Sequence, residues 1–196
     1  MRKIFSFTGA KKIVFGNGSL LTLAGHLNEH HAKNPLVVID KNLAKTGLHE
    51  KIASILVSEG IKFTVFDKVE PEPRIELADE GAALCLKNKC DSVIGIGGGS
   101  AMDVAKAIAG IATNKGAAVD YLGLNKVPKP GLPKIMIPTT AGTGSEVTFT
   151  AVFIRKNLKK KEGMNSPHLY PDLALLDPEL TLSLPPEPTA HTGLDA

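Results

Sequence analysis

Ser92-Val-Ile-Gly-Ile-Gly-Gly-Gly-Ser100-Ala-Met-Asp103-Val-Ala-Lys106 is the stretch from which the rest of the chain can be read. A short apolar run of strand length opens into three consecutive glycines. A segment with helical spacing follows, its apolar face formed by Ala101, Val104, Ala105 and Ile108. Glycine lets a backbone approach a ligand closely, and the bare N–H groups at a helix start attract anions. Ser100 and Asp103 have the spacing of a capping box at that start. Lys134-Ile-Met-Ile-Pro138 repeats the pattern, running into Thr139-Thr140-Ala-Gly142-Thr143-Gly144-Ser145-Glu146. Two such bends in one domain suggest a pyrophosphate site. The G-x-G-x-x-G spacing is absent, so this is not the usual Rossmann fingerprint.

Strands and helices alternate on both sides of this stretch. Leu36–Ile39 is a β-branched run ending at Asp40, and Leu48–Gly60 carries a helical stripe. Lys62–Phe66 alternates like a strand, Glu70-Pro-Glu-Pro73 is a rigid loop, and Ile75–Lys89 is a second helix. Ser100–Thr113 is a third. The pattern predicts an α/β fold, a parallel sheet with crossover helices. Ile4–Phe7 and Lys12–Phe15 read as two short strands before it, and Ser19 opens a helix to about His31. Gly116–Pro133 reads as loop. Val147–Ile154 reads as a strand with a hairpin partner beyond Lys161, and Asp172–Leu176 as one more buried strand. Thr189–Ala196 starts a new helix after a proline break.

Composition narrows the function classes. The chain has 196 residues, a net charge of +3, no Trp and two Tyr, so nucleic-acid binding has little support. The lysines around Lys159–Lys161 suit a solvated hairpin tip. Cys85 and Cys90 lie among apolar residues and read as buried free thiols. No signal peptide or membrane-length apolar run is present, and a cytoplasmic setting fits. His26 and His30 have i, i+4 spacing but lie off the apolar stripe, which reads as an exposed helix face. No catalytic set can be read from spacing.

A carboxylate at Asp40 can accept from ribose hydroxyls, favouring NAD over NADP, or can cap the following helix. Hydroxyls and open N–H groups in the Thr139–Glu146 bend suit phosphate, ribose or a nicotinamide amide.

These motifs together resemble the iron-containing (group III) alcohol dehydrogenases. The likeness rests on Phe15-Gly-Asn-Gly18, Asp40, Glu70–Pro73, Gly97–Lys106, Pro138–Thr148, Lys161, Ser166-Pro167, Tyr170–Pro178 and Thr192-Gly-Leu-Asp195. The resemblance implies the Rossmann-like N-terminal domain of the dehydroquinate synthase-like fold over residues 1–184. Residues 185–196 would start a helical metal domain that is otherwise missing. It implies cofactor-binding roles for Gly97, Gly98, Gly99, Ser100, Thr139, Thr140, Thr143, Ser145, Thr148 and Lys161. Asp195 matches the first metal ligand, whose three histidine partners in the family would follow it. The expected activity is NAD-dependent, iron-dependent alcohol dehydrogenation, a reversible hydride transfer between a small primary alcohol or diol and NAD. On this reading the chain is a truncated form that does not hold Fe²⁺ by itself. One alternative is an inactive stand-alone dinucleotide-binding module. Another is a homo-oligomer formed through bared Leu180, Leu182 and Leu184.

Overall fold

The computed structural model describes residues 4–43 and 46–196. Six strands form one wholly parallel sheet: β1 (Lys12–Phe15), β2 (Pro35–Asp40), β3 (Thr64–Val69), β4 (Ser92–Gly97), β6 (Lys134–Pro138) and β9 (Leu173–Leu176). Their order across the sheet is β1-β9-β6-β4-β2-β3. A smaller sheet is built from β5 (Gly123–Leu124), β7 (Thr150–Arg155) and β8 (Lys160–Asn165), with β7 and β8 pairing as a hairpin.

The central strands are buried on both faces, which is why they read as continuous apolar runs rather than as alternating ones. Period-2 geometry still sorts their side chains into two cores. Leu36, Val38, Val93 and Met136 face α3 (Glu76–Lys87) and α4 (Gly99–Ile111). Val37, Ile94, Ile96, Ile135 and Ile137 face α1 (Leu23–Glu29) and α2 (Leu48–Ser58). Gly95 in β4 lets α4 settle directly onto the sheet. A Cβ there would lie 2.6 Å from Ala105 Cβ and 2.8 Å from Met136 Sδ.

The strand order locates the site. From β2 the chain passes through α2 to β3 on one side, and from β4 it passes through α4 to β6 on the other. Right-handed crossovers running in opposite directions place their helices on opposite faces and leave a crevice between β2 and β4. Asp40 ends one of these strands and Gly97 ends the other.

Four expectations need correction. Ile4–Phe7 forms no strand: Ile4 and Phe7 are each 96% exposed, and β1 pairs only with β9, so no neighbour completes a ladder for them. The 116–133 stretch is not all loop, since Ala118–Tyr121 is a 3-10 turn and β5 pairs with β8. Leu180 belongs to the core at 8% exposure, whereas Leu182 is 82% exposed, so the proposed leucine patch is not contiguous. His26 is buried rather than solvated, its Nδ1 lying 3.2 Å from Glu29 Oε2 and 3.4 Å from Nζ of Lys12 in β1, because the helix turns that edge toward β1. Both cysteines are free, Cys85 buried as expected and Cys90 only half-buried. Their spacing closes the C-terminus of α3: Lys89 takes a left-handed φ of 53°, and the Cys90 N–H donates to the Cys85 carbonyl at 2.9 Å.

Candidate cofactor site

The two bends meet. Gly97 pairs with Pro138 across β4 and β6, and the Thr139 N–H donates to the Gly97 carbonyl at 3.0 Å. Both bends therefore open at the carboxyl edge of neighbouring strands, side by side. Helix α4 starts at Gly99 behind an extended Gly98, and no side chain caps it. The expected Ser100–Asp103 capping box is not formed, because the helix starts one residue before Ser100, behind Gly98, and Asp103 bonds to Ser145, Val152 and Lys106 instead. The Gly98 carbonyl takes the Ala101 and Met102 N–H groups, which leaves those of Gly99 and Ser100 at the start of α4 without an acceptor.

Two clefts flank this helix start and share Gly99 and Ser100 as a common ridge. The larger, of about 580 Å³, is lined by Asp40, Gly98, Gly99, Ser100, Thr139 and Thr140. Leu180, Leu184, Pro188 and Thr192 close its far side. The smaller, of about 380 Å³, brings Thr143 and Lys161 together with Asp103 and Glu72.

Three features of the larger cleft suit a dinucleotide. Thr140 Oγ1 is buried and has no hydrogen-bond partner, a costly state that a ligand would relieve. A Cβ on Gly98 would stand 3.5 Å from that same oxygen, so the missing side chain leaves a cradle. Asp40 Oδ1 accepts the Asn42 N–H at 2.8 Å, capping the turn directly after β2. It does not cap α2, which begins behind a left-handed Gly47.

Gly142 has a φ of 86° and sits under α5 (Pro186–Asp195). A Cβ on it would fall 2.0 Å from the Thr192 carbonyl oxygen, so this glycine is what lets α5 wall the cleft.

The remaining expected residues are placed differently. Gly97 lies beneath the ridge as a strand end, its carbonyl tying the bends together. Ser145 is buried and donates its hydroxyl to Asp103 Oδ1 at 2.6 Å. Thr148 is half-buried and lines neither cleft. Lys161 is exposed, 2.9 Å from Glu72. The metal ligand expected at Asp195 falls on a side chain outside the described residues.

Sequence reasoning missed the apolar wall of Leu180, Leu184 and Pro188, which is assembled from a distant segment. It also missed Lys106, wholly buried in the middle of α4. Burial pushes its ammonium below the usual lysine range, and the Asp103 carboxylate 3.0 Å away opposes that shift. A lysine three residues after an aspartate, inside an otherwise apolar helix, was the available signal.

The Phe15–Gly18, Asp177 and Glu70–Pro73 motifs have structural roles. Asp177 accepts the N–H groups of Gly18, Leu20 and Glu179, each at 3.1 Å, and so anchors the Phe15–Gly18 loop to the end of β9. The Pro73 carbonyl accepts the Ile154 N–H at 2.9 Å, fastening the hairpin to the loop that follows β3. Among the described residues, no helix is long and apolar enough to cross a membrane.

Known proteins share this architecture. The sequence model for iron-containing alcohol dehydrogenases matches residues 10–178. Alcohol dehydrogenase 4 of Schizosaccharomyces pombe is 41% identical over 183 residues, covering 93% of this chain and 43% of that protein. The structure of a 1,3-propanediol oxidoreductase superposes with a TM-score of 0.93 at 32% identity, covering 98% of this chain and 50% of the other. Sulfoacetaldehyde reductase from Bifidobacterium kashiwanohense, solved in complex with NAD+, gives a TM-score of 0.90 at 35% identity, covering 99% of this chain and 51% of that one. The chain spans about half the length of the curated relatives it matches.

Proposed function

This chain belongs to the iron-containing alcohol dehydrogenase family, and on that premise we propose that it forms the NAD-binding part of an alcohol dehydrogenase. The reaction would interconvert a small primary alcohol or diol and its aldehyde. The observation that carries this reading is the joining of both glycine bends and Asp40 around one crevice, with the Thr140 hydroxyl buried and unpartnered inside it. NAD, when bound, supplies the hydride acceptor at its nicotinamide ring.

The residues of this chain bind and orient that cofactor. The helix start at Gly98–Ser100 receives the pyrophosphate, where outward N–H groups and the helix dipole favour negative charge. Asp40 accepts from the adenosine ribose hydroxyls and repels a 2′-phosphate. Thr143 and Lys161, in the smaller cleft, serve the nicotinamide half. Residues 1–184 would then be the cofactor domain and 185–196 the opening of the helical one.

Iron does not fit the described residues. No group of three or more His, Cys, Asp or Glu side chains converges among them, and one carboxylate does not make a divalent N/O site. No catalytic step is assigned to this chain through a metal. A second reading is a dinucleotide-binding module without turnover of its own.

Titration calorimetry with NAD, NADP and ADP tests the proposal. NAD and ADP should bind, with NADP weaker. Asp40→Gly should narrow the NAD-over-NADP preference by about tenfold, the worth of one charged contact. Heat-silent titrations with all three nucleotides would end the cofactor reading. NAD binding without NADH formation from alcohols on adding Fe²⁺ would select the module.

A further inference from the structure

Helix α4 is apolar along most of its length and almost wholly buried from Ala101 to Ile111. Lys106 breaks that rule with an ammonium that has no exposed surface (0%). Taking such a charge out of water is expensive, and an apolar residue of like volume would fill the core as well. The geometry shows what the charge does instead. Lys106 Nζ donates to the carbonyl oxygens of Ser145, at 2.9 Å, and Thr150, and lies 3.0 Å from Asp103 Oδ1. All three N–H donors of the ammonium thus have acceptors, arranged around a point charge. Asp103 extends the network, accepting the Ser145 hydroxyl at 2.6 Å and the Val152 N–H at 2.9 Å.

Every one of these acceptors and donors outside α4 belongs to the end of the second bend, at Ser145, or to the segment that leaves it, at Thr150 and Val152. Helix α4 itself carries the first bend at its start. The network therefore fixes the backbone at Ser145, Thr150 and Val152 against the element that positions Gly98–Ser100. Asp103 and Val152 also line the smaller cleft beside Thr143. Lys106 lines neither cleft.

We propose that Lys106, acting through Asp103 and the Ser145 and Thr150 carbonyls, is a positioning residue that sets the spacing of the two bends so that one dinucleotide can engage both clefts. This rests on the cofactor reading above and adds the device that holds the two halves of that site in register. Its signature is a split between ligands: ADP reaches only the larger cleft, whereas NAD spans both.

The test is calorimetric titration of NAD and of ADP into the unmodified chain, Lys106→Met and Ser145→Ala, with thermal unfolding of each followed by circular dichroism. Lys106→Met should weaken NAD at least about tenfold while ADP stays within about twofold, as loss of a charged hydrogen-bond network that holds one wall of the smaller cleft requires. Ser145→Ala, which removes a single hydroxyl from the same network, should move the NAD-to-ADP ratio in the same direction by a smaller factor. If Lys106→Met does not fold, the Ser145→Ala ratio decides. Equal losses for both ligands, or no loss for either, overturn the positioning role. An unmodified chain that binds neither ligand overturns the cofactor reading and this role with it.

Discussion

Gly98→Ala separates what the first bend does for folding from what it does for a ligand. Gly98 has φ −75° and ψ −175°, an extended conformation open to any residue. The added Cβ would meet nothing nearer than Thr140 Oγ1 at 3.5 Å, an ordinary contact. Folding should therefore not suffer. Replacing glycine where the backbone permits it restricts the unfolded chain and should raise stability by about 0.4–1 kcal/mol. The same methyl, however, occupies the cradle beside the outward N–H groups of α4. A phosphate kept from those donors loses one charge-assisted hydrogen bond, worth about 1.5–3 kcal/mol, so the NAD dissociation constant should rise about tenfold to about 150-fold. Differential scanning calorimetry and NAD titration on the same preparation read both effects. A variant that melts no lower and still binds NAD as tightly as the parent would refute the reasoning, since the glycine would then serve no ligand.

Two further outcomes follow from groups elsewhere in the fold. Asp172 is buried at the opposite end of the sheet, and burial alone would push its carboxyl up. The Lys11 ammonium, the Lys134 charge and the Lys134 N–H outweigh that and hold it below the ordinary value of 3.8. A carboxyl depressed on folding lends stability that is present above its unfolded pKa and lost as pH falls through the folded one. Acid unfolding below about pH 4 should accordingly be shallower in Asp172→Asn, which should also be about 2 kcal/mol less stable at pH 7; urea midpoints from pH 7 to pH 2 measure both, and parallel curves would contradict them. Burial pushes the Cys85 thiol up to about 12, helped by the nearby Cys90. Iodoacetamide at pH 8 should leave Cys85 unmodified in the folded chain and alkylate it in urea, as peptide mass spectrometry would show.

Local pattern carried most of the fold. Leu36–Ile39 and Ser92–Ile96 could only be buried strands, and the spacing of Ile52 and Leu56 or of Val104 and Ile108 could only be helical. Both bends were legible because glycine and hydroxyl residues at a strand end have few other uses. What pattern could not supply was neighbourhood. Ile4–Phe7 has the composition of a strand but no strand beside it. Asp103 had a plausible partner three residues away, and found stronger ones more than forty residues on, at Ser145 and Val152. Leu180 and Leu182 look alike in sequence, yet only Leu180 points into the sheet's second core. The crevice itself depends on which way the chain turns after β2 and β4, which is a property of topology and not of any single segment.

The ridge at Gly99 and Ser100 belongs to both chambers at once. Any change to that single peptide unit is transmitted to the two compartments together. Tuning grip on one end of an occupant without disturbing the other must fall to the outer rims, Asp40 on one flank and Glu72 with Lys161 on the opposite one, and those are where diversification of preference has room to act.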